Sequence, residues 1–79
     1  MKHARSDYDR IQDPDNKIGE DEPVFLLRAK DVSAPAALRF WAEENKRNGG
    51  DPKLTALARV YANTMAMWQV ENGFKPADL

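Results

Sequence analysis

The sequence predicts a mainly α protein, with α+β as the alternative: an antiparallel helical hairpin preceded by an extended arm and one short strand, working as an oligomer. Three observations predict this. Residues 34–48 and 52–72 repeat apolar side chains at three-and-four spacing between strong start and stop signals. Val24 to Leu27 is continuously apolar and bounded by turn-formers. Finally, 79 residues without Cys bury only about 60% of the surface their unfolded chain exposes. Such a chain needs a supplement to its core. With no disulfide and only His3 as imidazole, self-association is the supplement that remains.

One domain spans 1–79. Residues 1–22 read as an extended arm, rich in Asp, Glu, Pro, Asn and Gly and anchored by Tyr8, Ile11 and Ile18. Residues 23–31 read as a short strand buried on both faces, although a helical turn opening at Pro23 fits the same run. A lone strand needs a partner, and residues 8–12 or the same segment of another subunit are the candidates.

The first helix opens at Ser33, a residue type suited to the N-cap, with Pro35 in the first turn, and Gly49-Gly50 stop it near residue 48. Ala34, Ala37, Leu38, Trp41 and Ala42 form its buried stripe. Phe40 falls off that stripe beside Glu43 and Glu44, as a second interface. Asp51-Pro52 repeats the start signal and Gly73 the stop. On the helix between them, Leu54, Leu57, Ala58, Tyr61, Met65 and Trp68 form the main stripe, while Val60, Ala66, Met67 and Val70 widen it. The short 48–51 connection makes the helices antiparallel neighbours, and the longer second helix overhangs the first. Residues 73–79 are an extended tail.

Composition limits function. Lys and Arg total 12 against 13 Asp and Glu, a formal net charge of -1. No basic face is announced, so nucleic acid is not an expected partner. The polar start lacks the apolar core of a signal peptide and no apolar run could span a bilayer, so the expected location is the cytoplasm, without membrane attachment.

Catalysis finds no constellation: Ser6, Ser33, Thr55 and Thr64 have only His3 as a possible imidazole base, and Glu43-Glu44 diverge on a helix. The expectation is no enzyme, no cofactor and no metal. Asp13 to Val24 departs from a calcium loop at Lys17, Ile18 and Val24 and reads as a turn-rich loop. The start of the second helix, with Lys53 alongside, offers amides to an anion, but Asp51 competes for them.

The most suggestive polar group is Arg28-Ala29-Lys30-Asp31, followed by Arg39 one turn into the first helix. Arg28, Lys30 and Arg39 can gather around a phosphate or carboxylate, with Tyr8 or Trp41 stacking on a flat group. Ordinary pairing of the arginines with Glu20, Asp21, Glu22 or Glu43, and Trp41 as core, is the competing reading. Phe25, Leu27, Phe40, Met67 and Trp68 are the expected interface side chains.

Asp21 to Asp31, with Ala34-Pro35, Trp41-Ala42 and Ala66-Met67-Trp68, resembles a group of short proteins carried by bacteriophages and by proteobacterial genomes with mobile elements. The resemblance extends from about Tyr8 to Trp68 and brings no catalytic residues. It implies a viral, anti-defence context: occlusion of a bacterial protein, or sequestration of a signalling nucleotide. The expected function is a non-enzymatic accessory protein binding a nucleotide-like anion at an oligomer interface. The alternative is an inhibitor or adaptor that occludes a defence or host protein.

Overall fold

The computed structural model describes residues 2–3 and 12–78. In chain order the elements are β1 (Lys2–His3), β2 (Pro23–Val24), α1 (Ala34–Arg47) and α2 (Pro52–Asn72). Helix predominates and the two helices pack on each other.

Local signals set the helix ends. Asp51 accepts a hydrogen bond from the Lys53 amide at 2.9 Å, satisfying one of the donors that a helix start leaves open. Ser33 occupies the N-cap of α1 without a side-chain capping bond, which corrects its expected role. A capping residue takes an extended backbone so that its hydroxyl can accept from the second or third amide of the helix. Ser33 is instead already helical at φ -82° and ψ -13°, and Pro35 at the second position has no N–H to give. Asp31 works instead from one turn earlier, its carboxylate accepting from Ser33 N and its carbonyl from Ala34 N. At the other end Gly49 takes φ 76°, where an L side chain would be strained. A Cβ on Gly50 would strike the Asn45 amide, which is held by donating to Thr55 Oγ1 at 3.0 Å.

Cross-helix bonds fix direction. Asn45 meets Thr55, Glu43 meets Arg59 and Arg39 meets Asn63, so α1 numbers fall as α2 numbers rise. The pair is antiparallel.

The contact face differs from the sequence expectation. Ala34, Ala42, Ala58 and Ala62 are the buried apolar residues among those described, with Pro35 and Thr55 beside them. Leu54, Leu57 and Tyr61, assigned to the main stripe, stand about half exposed. The helix is rotated so that Thr55, Ala58, Ala62, Met65 and Gln69, again at three-and-four spacing, face α1. Small side chains let two helix backbones approach closely, and α2 carries apolar residues around most of its circumference. Apolar pattern alone therefore did not rank one face above another.

The strand expectation is also corrected. Within residues 23–31 only Pro23–Val24 is strand, and it pairs in parallel with Lys2–His3; residues 8–11, most of one expected partner, lie outside the described residues. Phe25 and Leu26 are exposed and Val24 and Leu27 half-buried, so the run is not buried on both faces. A two-residue ladder provides no second layer to cover it. Beyond it, residues 29–32 are tied to the tail: Lys75 N donates to Lys30 O and Val32 N to Lys75 O. Gln69 Nε2 binds the carbonyls of Ala29 and Asp31 at 2.8 and 3.0 Å. These bonds lay the segment before α1 and the chain after α2 side by side over the far end of α2.

The loop at Asp13 is a turn closed on itself. The Asp13 carboxylate accepts from the amides of Lys17 and Ile18, and Asn16 adopts φ 51°. Its oxygens are engaged by the backbone.

Candidate functional site

Two surfaces result from this packing. The first is a small cleft where the pre-helical segment meets the tail. Phe25, Leu26, Arg28, Lys30 and Asp31 form one wall, and Lys75, Ala77 and Asp78 the other; its volume is about 50 Å³. Arg28 and Lys30 are brought together as the sequence suggested. Arg39 is not among the lining residues. It donates to Asn63 Oδ1 at 3.1 Å across the helical pair. Trp41 is likewise on α1 away from the cleft, and Tyr8 lies outside the described residues.

Lys75 was missed by sequence reasoning. It arrives because its backbone pairs with Lys30 and Val32, a long-range event with no local signature. Its ammonium lies 2.9 Å from Asp78 Oδ2. The cleft thus holds three cations and two carboxylates, a slight positive excess able to attract one anionic group. Gln69 was missed as well. The signal available was a polar residue continuing the inward line Thr55, Ala58, Ala62, Met65 at three-and-four spacing, which marks a half-buried amide with backbone to satisfy.

The second surface is apolar. Phe40 is 68% exposed, Met67 67% and Val70 86%. Phe40 faces away from the Ala34–Ala42 line of α1, whereas Met67 and Val70 are on α2, so these three side chains do not form one patch. Trp68, Tyr61, Leu57 and Leu54 are also partly exposed, on the other side of α2 from Arg59 and Asn63. Of the expected interface residues, Phe25, Phe40, Met67 and Trp68 are exposed and Leu27 is half-buried.

Electrostatics add little. Arg47 has its guanidinium held above its ordinary value by the hydrogen bond it donates to the Glu44 carboxylate, with no change of charge at ordinary pH. Among the described residues no group of His, Asp and Glu could hold a metal ion, and no helix is long and apolar enough to cross a membrane.

No family model, curated protein or solved structure matches the chain.

Proposed function

We propose that this protein is a non-enzymatic binding protein that works as an assembly of copies and engages protein through the apolar surface of its helices. One observation carries the reading: the helices meet through alanines while their large side chains stay outside. A buried leucine or phenylalanine contributes about 1.5–3 kcal/mol, against about 0.8 kcal/mol for a methyl-sized group. A hairpin that buries the small groups and exposes the large ones gains most of its apolar burial by association. Exposed apolar area of this kind, rimmed by polar residues, marks interaction sites.

The mass in solution tests the proposal. Sedimentation equilibrium at micromolar concentration is expected to give a multiple of the 9.0 kDa chain; a folded single chain would defeat the reading. The counter-defence role implied by the phage-protein resemblance is the context in which such a protein would occlude a bacterial partner, or hold one of its signalling molecules.

A second reading, the binding of a nucleotide-like anion, is favoured by Lys75 joining Arg28 and Lys30. At about 50 Å³ the cleft suits one phosphate or carboxylate group and falls short of the roughly 300–1,000 Å³ of whole-ligand pockets. The rest of such a ligand would lie against a neighbouring copy. Calorimetry with cyclic dinucleotides and ADP-ribose derivatives tests it: binding weakened at least tenfold in Lys75→Ala is expected, and no heat with any of them would remove this reading.

A further inference from the structure

We infer that a second copy of this chain covers the edge of the helical pair that carries Trp41, Leu54, Leu57, Tyr61 and Trp68, with the two α2 helices antiparallel. The inference rests on the reading that the chain works as an assembly, and it names the surface and the register.

The two edges of the pair differ in kind. One is crossed by polar bonds, Arg39 to Asn63 and Arg59 to Glu43 at 2.6 Å. On the opposite edge of α2, positions 54, 57, 61, 64 and 68 are Leu, Leu, Tyr, Thr and Trp. Their alternating spacing of three and four is that of a helix seam awaiting a partner helix, and no charge interrupts it. Trp41 borders the same edge. It falls on the side of α1 away from Arg39 and Glu43, and the cross-helix pairs place it level with Tyr61.

Area supports a macromolecular partner of this chain's size. These five side chains are between 39% and 54% exposed. At roughly 200 Å² each they expose about 500 Å² per copy, so two copies meeting here remove about 1,000 Å². That reaches the lower bound of a specific interface.

Shape and charge favour a second copy placed antiparallel. Thr64 is the small residue of the seam and Tyr61 its large neighbour. A pairing centred between them sets each Tyr61 over the partner copy's Thr64 and each Leu57 over its Trp68, large against smaller. Beside the seam, Lys53 stands at the start of α2 and Glu71, five helical turns on, near its end. Antiparallel pairing brings each lysine to the acidic end of the other helix, and parallel pairing would stack like on like. A symmetric interface of this kind closes at two copies.

Because the chain has no Cys, introduced thiols report unambiguously. Leu57→Cys and Trp68→Cys chains, co-refolded in a glutathione redox buffer, are expected to give the mixed disulfide. Leu57→Cys alone is expected to give none, because antiparallel pairing separates its two copies by roughly 16 Å, beyond disulfide reach. Self-linking of either variant without the mixed product, or no cross-link at all, overturns the inference. A second measurement does not depend on those substitutions. Thr64 is exposed and its hydroxyl bonds only Val60 O of its own helix, so Thr64→Lys leaves the isolated hairpin unstrained. It is expected to run as a single helical chain, while Val70→Lys, 86% exposed on the side of α2 away from the seam, keeps the wild-type mass. Thr64→Lys at wild-type mass overturns the inference and leaves the assembly reading standing; a monomeric wild type removes both.

Discussion

At the residue scale the alanines of the seam govern how closely the helices approach. Ala62 is fully buried, and a larger side chain there must push α1 away or leave its rotamer. Ala62→Leu is expected to destabilise the fold by about 1–3 kcal/mol in urea unfolding, although it makes the residue more apolar; a gain in stability would show that the seam has room. The caps predict unequally. Asp51→Ala removes a side-chain bond to the Lys53 amide and is expected to cost about 1 kcal/mol. Ser33→Ala removes no capping bond and is expected to change the urea midpoint little. Equal losses at the two caps would contradict this assignment of Asp31.

Among the elements, the segment before α1 and the tail after α2 are held on the helices largely by Gln69. Replacing it by Leu keeps the side chain's bulk but leaves the carbonyls of Ala29 and Asp31 without this donor, and an unsatisfied buried acceptor costs about 1–3 kcal/mol. Hydrogen exchange is the appropriate probe: in Gln69→Leu the Val32 and Lys75 amides should lose protection while those in the middle of α2 keep theirs. Uniform protection would mean the tail is secured elsewhere. The same elements separate what was legible in the sequence from what was not. Sequence reading put the helices at 34–48 and 52–72, and they run Ala34–Arg47 and Pro52–Asn72. Asp-Pro, Gly-Gly and Gly73 act within a few residues, which is why they can be read locally. The rotation of α2 could not be read, because an apolar circumference offers several equivalent stripes and the choice was made by small residues on both helices. Of the cleft, Arg28 and Lys30 were visible as neighbours in the chain. Lys75 entered through backbone pairing some forty-five residues away, to which no side-chain pattern points.

For the whole molecule, the absence of any large, fully buried side chain among the described residues ties stability to concentration. If folding and association are linked, the melting temperature rises with protein concentration by mass action. A hundredfold dilution should lower it measurably, and a flat melting temperature would show that the hairpin stands alone. High salt should weaken the attraction of small anions to the cleft while leaving an apolar contact between helices largely intact. Salt dependence therefore separates the two surfaces in one preparation.

The placement of the indoles has a practical corollary. Trp41 and Trp68 are the only tryptophans in the chain, and both lie on the same edge, partly in water. Ultraviolet-excited emission thus comes almost wholly from one side of the molecule, and its colour should shift to the blue as that side dries, making the unlabelled protein its own optical gauge of whether that edge is wet or covered.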